Sequence, residues 1–306
     1  MPLNLPDFET LKHYLEPVFY LTDPERRVFV GYLLVSLVLA IVILSRQSAP
    51  FLPTVKQIFN PRLWRHPSVL LDIKLISVNH LFWIFMLAPF FGSQIATAIA
   101  TKRVLVDLFG RGDFLTWSTL HVSLLYTAVL FVADDFARFF THLCYHKIPL
   151  LWRFHAVHHS ATILTPLTLY RVHIVEVILN AMRSIFVAGV IGGIFIWLFT
   201  GKIAPLEILG VSIFSLMFNL AGANLRHSPI WLGYGKVEKW VLSPAQHQIH
   251  HSANPAHFDK NFGVMIALWD RIFGTWVASE QTQVNAFGLS ENAEVKQTLR
   301  HHLTGL

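Results

Sequence analysis

Seventeen consecutive residues from Val28 to Leu44, VFVGYLLVSLVLAIVIL, carry no charge, and a run of that length is close to what a helix needs to cross the hydrocarbon core of a bilayer. Comparable apolar runs follow from Phe114 to Val132, Val175 to Thr200 and Leu206 to Ala223. Another, from Val69 to Ala100, is interrupted by Asp72, Lys74, Asn79 and His80 and then by the break from Pro89 to Gly92. Lipid offers backbone N–H and C=O groups no partner, so segments of this kind close their hydrogen bonds internally. The expected fold class is therefore all-α, an integral membrane helical bundle. Charged residues make up only 14% of the chain, against about a quarter in soluble proteins, and the mean hydropathy is +0.50.

The segment from Arg46 to Arg65 holds Arg46, Lys56, Arg62 and Arg65 and no acid, which marks a cytoplasmic loop. We read Val69 to Ala100 as one kinked crossing, with a re-entrant pair as the alternative. The polar turn Gly201 to Pro205 makes a hairpin of the last two runs, giving a multi-pass chain of five spans. Residues 1–133 then form an N-terminal membrane region with about three spans. Residues 134–276 are expected to form the histidine-rich catalytic region, including a hairpin at about 175–223, and 277–306 a C-terminal tail. On this topology everything rich in histidine lies in a cap on the cytoplasmic face. Gly263 to Trp269, GVMIALW, is too short to span and reads as buried or interfacial. The net charge of +6 comes from basic residues flanking apolar spans, which orients a membrane protein and argues for no nucleic acid partner. Residues Met1 to Thr22 lack the pattern of a cleaved signal peptide, and nothing sets an oligomeric state.

Histidine supplies the chemistry. HLCYH spans His142 to His146, FHAVHHS holds His155, His158 and His159, and QHQIHHS holds His247, His250 and His251. On a helix, residues three and four apart share a face about 5–6 Å apart, so each cluster can present several imidazoles to a metal. Cys144 is the single cysteine, which excludes a thiolate-rich site. HLCYH lacks the glutamate of the zinc-peptidase HExxH. Eight imidazoles exceed one coordination sphere, and two nitrogen-ligated metals are the economical reading. We expect these eight to be the catalytic metal ligands. His301 and His302 read as solvated tail residues, and His80 as a packing residue.

The three clusters resemble the HxxxH, HxxHH and HxxHH boxes of the fatty acid hydroxylase and sterol desaturase superfamily of integral-membrane di-iron enzymes. The resemblance runs from about Asp134 to Trp276 and includes RVHIVE (Arg171 to Glu176), NLRHS (Asn224 to Ser228) and DKNFGVMIALWDRIFGTW (Asp259 to Trp276). It implies two further ligands, His173 and His227, making ten. Asp135, Arg171, Glu176, His257, Asn261 and Asp270 are candidates to stand behind the ligands, holding imidazole N–H groups or waters in place. Leu143 and Ile174 depart from the residues frequent in relatives, and both leave every ligand position filled.

The resemblance further implies two Fe ions and O2 as co-substrate, with electrons from an external ferredoxin or cytochrome b type donor. The membrane lipid substrate would be acyl, alkyl-glycerol or sterol-like, hydroxylated or desaturated at a C–H bond. Zinc can replace iron in purified protein, because nitrogen sites bind Zn more tightly than ferrous iron. Two other classes compete. A histidine-lined metal transporter would place its histidines along a path inside the spans. A membrane zinc hydrolase would need neither O2 nor reductant.

Overall fold

The computed structural model describes residues 20–46, 56, 59–87, 92–112, 114–199, 203–208, 211–280, 282, 284–290 and 297–306. His13, Pro50, Pro53, Pro89 and most of the basic loop lie outside them, as do Gly201 and Lys202 of the expected turn. The regular structure of the described residues is helical apart from one pair of two-residue strands and three isolated bridges.

Helix α1 spans Val30–Arg46, α2 Pro67–Phe82, α3 Ser93–Phe109, α4 Thr119–Lys147, α5 Pro149–His159 and α6 Ile174–Leu198. Three stretches among the described residues are long and apolar enough to cross a membrane: Pro67–Phe85, Thr119–Lys147 and Ile174–Leu198. Their outer faces, and that of α1, expose large apolar side chains such as Leu34, Val38, Leu124, Phe136 and Phe186. At 17 residues α1 is shorter.

Residues 69–100 do not form one kinked helix. Helix α2 ends in a π-helical turn, Trp83–Leu87, and α3 starts afresh after Gly92, whose φ of 91° is left-handed. Helix α3 packs against α6 through a GxxxG pair: a Cβ on Gly189 would stand 2.5 Å from Thr97 Cβ, and one on Gly193 2.5 Å from Thr101 Cβ. Small residues four apart let two backbones approach closely, as helices in lipid prefer.

Helix α4 passes straight through Asp134 and Asp135, where the span was expected to end. Its 29 residues extend over roughly 43 Å, beyond a hydrocarbon core of about 30 Å. The excess length is about two turns, as much as the C-terminal stretch that carries His142 and His146. Asp134 is neutralised by Arg138, 2.6 Å away, and by Arg183 of α6. Pro149 disfavours a helical Ile148, which adopts φ −102° and ψ 113°, and at N1 it starts α5. Two histidine-bearing helices thus meet at a one-residue corner.

The return arm after α6 is not the second helical span expected from Leu206 to Ala223. Strands β1 (Glu207–Ile208) and β2 (Val211–Ser212) pair antiparallel, and only Ile213–Leu220 is helical, α7. Pro205 lacks an N–H, and β-branched Ile203, Ile208 and Val211 favour extended backbone. The arm descends along α4: Leu206 N donates to Thr127 Oγ1 at 2.8 Å, and Phe214 stacks on Phe131 at 4.0 Å between centroids. It delivers the 3-10 turn Ala223–His227 and then α8 (Pro244–His250) to the end of the bundle that holds α5.

Helix α9 (Leu268–Ile272) and α10 (Leu299–Leu303) complete the described helices relevant to the site. The C-terminal tail is built into the core. Leu299, Leu303 and Leu306 pack on buried Leu71, Leu75 and Val157, and Leu306 N donates to Arg153 O at 2.8 Å. His301 is exposed as expected, but His302 is wholly buried. The apolar contacts of its neighbours draw it inward, where its ring finds Ser160 Oγ at 2.9 Å and Thr298 O at 2.9 Å.

Candidate metal centre

Nine histidines converge in two groups. His142 and His146 of α4, His155 and His159 of α5 and His250 of α8 form the first. His158 of α5, His227 of the 3-10 turn, His247 of α8 and His251, its C-cap, form the second. Within each group one ring nitrogen per residue lies within 4.8 Å of all the others. The rings of His159 and His251, 4.6 Å apart, join the groups.

Helix geometry explains the division. Residues i and i+4 nearly align, whereas neighbours in sequence stand about 100° apart. The HxxHH on α5 gives its aligned pair, His155 and His159, to the first group and His158 to the second. The HxxHH on α8 does the reverse, giving His250 to the first group and His247 and His251 to the second. Ser243 fixes the start of α8 through a capping box with Gln246, and Pro244 occupies its first turn.

In the first group four of the five Nδ1 atoms are anchored and all five Nε2 atoms left open. His142 Nδ1 donates to Phe262 O at 2.7 Å, His250 Nδ1 to Lys260 O at 2.7 Å and His155 Nδ1 to Glu176 Oε2 at 3.0 Å. His146 Nδ1 stands 3.3 Å from Asp259 Oδ1, a carboxylate also held by Lys147 Nζ at 2.6 Å. The Nε2 atoms of His142, His146, His155, His159 and His250 are all buried without a hydrogen-bond partner. Five orphaned nitrogens facing one another fit a metal ion, which would satisfy them together.

In the second group the Nε2 atoms of His227, His247 and His251 form a triangle with sides of 3.0, 3.1 and 3.3 Å. Each neutral Nε2 either bears a proton or does not, so at least one side must set two like partners against each other. A shared ion removes that conflict, and nitrogens about 2.1 Å from one metal stand roughly 3.0–3.4 Å apart. His158 Nδ1 donates to Arg171 O at 3.2 Å. His247 differs, since its Nδ1 accepts from the buried Arg226 at 2.8 Å. A neutral ring accepting there carries its proton on Nε2, which makes His247 the poorest neutral ligand of the nine.

Burial keeps these rings unprotonated. It pulls His155 down to about 3 and His158 to about 4, and lowers His159, His227, His247, His250 and His251 well below the ordinary imidazole range. A neutral ring is the form that binds metal. An all-nitrogen donor set suits Fe, Zn, Cu or Ni alike.

The tenth residue, His173, lies outside both groups. It is the N-cap of α6: Nδ1 accepts from Val175 N at 3.1 Å and Nε2 donates to Leu303 O at 3.0 Å. Both ring nitrogens are used. His257 also stands apart, with Nδ1 2.9 Å from Ser252 Oγ.

Of the other candidates, Glu176 touches an imidazole with its side chain and Arg171 with its carbonyl. Asp135, Asn261 and Asp270 bond mainly to backbone instead. Asp135 accepts from Met265 N, Ile266 N and Trp269 Nε1 at 3.0–3.1 Å. Asp270 accepts from Phe262 N and Gly263 N, both at 2.8 Å, and makes no ion pair with Arg271 among the described contacts. Asn261 Oδ1 accepts from Val277 N at 2.8 Å, while its Nδ2 donates to Gln246 O at 3.2 Å.

These contacts shape one loop, Asp259 to Gly263. Asp259 and Asn261 adopt φ of 59° and 54°, a left-handed conformation that Asp and Asn tolerate better than most residues. Alternation of this kind aims the carbonyls of Lys260 and Phe262 and the carboxylate of Asp259 at three imidazoles. Sequence reasoning missed Asp259, Lys260 and Phe262 as acceptors, and a backbone carbonyl leaves no residue-type signal. The Asp-Lys-Asn run with its two left-handed formers was the available clue.

A buried network supports the second group from behind. The Arg171 guanidinium pairs with Asp72 of α2 and donates to Ser160 Oγ at 3.0 Å, Gln297 Oε1 at 3.0 Å and Ser68 Oγ at 2.8 Å. Asp72, interrupting an apolar run, was the visible trace of that pairing.

The geometry defines a class: helical proteins of membrane-spanning length whose histidine clusters enclose two metal-binding groups. Residues 127–275 match the family model described as fatty acid hydroxylase, and that stretch contains all nine gathered histidines. Over this region, just under half of its length, the chain is similar to the fatty acid hydroxylase family.

Alkylglycerol monooxygenase of Homo sapiens is 25% identical over 176 residues, 56% of this chain and 36% of that protein. The protein of the same name in Xenopus tropicalis is 28% identical over 49% of this chain and 30% of its own length. Ornithine lipid hydroxylase OlsE of Rhizobium tropici is 25% identical over 47% and 40%. The matched stretch is thus about a third of these relatives. No solved structure matches the chain.

Proposed function

We propose that this protein is a membrane lipid oxygenase that holds two iron ions and uses O2 and external electrons to hydroxylate a C–H bond. The observation that carries it is the pair of histidine groups, five and four residues strong, with five buried Nε2 atoms lacking any partner. The relatives bear on the reaction class, since their names are those of a monooxygenase and a lipid hydroxylase. Hydroxylation is favoured over desaturation on that ground.

The residues that would hold iron are His142, His146, His155, His159 and His250 for one ion and His158, His227, His247 and His251 for the other. When bound, such a pair supplies the two-electron reduction of O2 and the abstraction of hydrogen from an unactivated carbon. The balance is R–H + O2 + 2 e⁻ + 2 H⁺ → R–OH + H2O, with the electrons drawn from a ferredoxin or cytochrome b type donor. Glu176, Asp259 and the carbonyls of Arg171, Lys260 and Phe262 fix ring orientation and tautomer. Because the nine rings lie at span ends and not along a path through the spans, an oxygenase fits better than a transporter. The basic loop after α1 supports placing the centre on the cytoplasmic face.

The test is expression of wild type and His158→Ala with a reductase and donor under 18O2, followed by lipid mass spectrometry. A lipid gaining one labelled oxygen in wild type alone is expected, together with two irons per chain after anaerobic loading. Labelled product formed without added reductant or donor, or no oxidised lipid from an iron-loaded protein, would overturn the proposal.

A further inference from the structure

Both histidine groups border one cavity of about 320 Å³, which His142 and His155 reach from the first group and His158, His227 and His247 from the second. Ligand pockets run from about 300 to 1,000 Å³, so this one accommodates a headgroup and its nearest carbons, not a whole lipid.

Its wall is unusually cationic. Arg27, Arg138, Arg183 and Arg226 all line it, and they come from the turn before α1, from α4, from α6 and from the 3-10 turn before α8. Glu176 is the one carboxylate in the lining, and it is engaged by His155. Asp134 must serve both Arg138 and Arg183. Arg27 and Arg226 have no carboxylate partner among the described residues: they donate to the carbonyls of Ala223, Val264 and Gly263. Four guanidiniums facing two carboxylates leave an excess of two positive charges.

Arginines near span ends commonly reach out to bulk lipid headgroups. That account suits Arg138, whose side chain is 46% exposed, but not Arg183 at 11% or Arg226 at 3%. The Nε atoms of Arg27 and Arg183 are buried and lack any hydrogen-bond partner. A buried charged donor left unmade is costly, so neither guanidinium is fully matched by the acceptors that the described residues supply. Arg27 is still charged at neutral pH, since burial lowers it only to about 10.

We propose that this cavity binds the anionic headgroup of the lipid substrate, a phosphate or carboxylate, with Arg27 and Arg183 as its main holders. This rests on the oxygenase reading for the word substrate, though not for the binding itself. Guanidinium forks match the planar or tetrahedral oxygens of such groups. Sharing so small a cavity with the imidazoles, the headgroup would bring carbons close to the polar end, and not the chain terminus, to the metal centre.

Native mass spectrometry of the metal-free full chain in detergent tests this with four probes. They are a 1-O-alkylglycerol, its monophosphate ester, the fatty-acid anion of the same chain and inorganic phosphate. The ester or the fatty-acid anion should bind about tenfold or more tightly than the uncharged alkylglycerol. Arg27→Gln and Arg183→Gln should each remove most of that preference while leaving the uncharged probe bound as before. Equal binding of charged and uncharged lipids to wild type, or equal loss of both in the variants, would overturn the proposal. So would inorganic phosphate binding as tightly as the ester, which would mean a free-anion site. A preference that holds while no lipid is oxidised would sink the oxygenase reading alone. Lipid oxidised without any preference would sink only this one.

Discussion

Arg171 and Asp72, ninety-nine positions apart, form an ion pair in which neither side chain has any exposure to solvent. The pair ties α2 to the loop whose Arg171 carbonyl orients His158. A structural contact deep in the bundle and a contact to a candidate metal ligand therefore share one residue.

Asp72→Ala leaves the guanidinium buried without its counter-ion, and should cost about 3–5 kcal/mol. Thermal denaturation in detergent measures it. Replacing both partners, as Asp72→Leu with Arg171→Met, should recover much of the loss, because an apolar pair needs no compensation. A single variant as stable as wild type would show that the pair does not hold α2 in place.

The two histidine groups should behave as two separate sites. His155→Ala is expected to lower bound iron from about two ions per chain to about one, and His227→Ala to do the same through the other group. His173→Asn should keep both ions, because asparagine replaces the cap that His173 provides to α6. Metal quantification after anaerobic loading decides. Loss of an ion on changing His173 would restore it to the ligand set.

Asn261 holds the left-handed turn that aims the acceptor carbonyls. Asn261→Ala should lose about 1–2 kcal/mol from the backbone conformation alone, in addition to its hydrogen bonds, and should weaken iron binding roughly tenfold. Asn261→Gly, free of the conformational cost, should be the milder change. Equal stability and equal iron affinity in the two variants would mean that backbone handedness is unimportant here.

His302 predicts a pH response of the tail. Burial lowers it to about 4, against about 6.5 for a free histidine. Between these values the undocked tail binds the proton more readily, so docking is complete above about pH 6.5 and is lost as pH falls toward 4. Hydrogen exchange in residues 297–306 should rise across that window. His302→Gln should flatten the response, and wild-type exchange independent of pH would contradict it.

Much of this was legible in the linear chain. An i, i+4 spacing makes His142 and His146, His155 and His159, and His247 and His251 neighbours whatever the rest of the fold does, because helical periodicity is local. Low charge and long apolar runs likewise set the helical class, since unpaired backbone is untenable in lipid. His227 was reached by resemblance, but the same reasoning placed His173 in the ligand set when its ring caps a helix.

What the chain alone did not decide is which histidines share a group. The split of each HxxHH between two groups depends on how α5 and α8 face each other, a relation between segments nearly ninety residues apart. The acceptors were hidden for a related reason: carbonyls of Lys260 and Phe262 look like any others until two left-handed residues aim them. Asp72, Arg171 and His302 show the same limit, because a buried charge reads as an interruption or a tail until its distant partner is in view. Local periodicity wrote the pairs, and long-range packing chose their company.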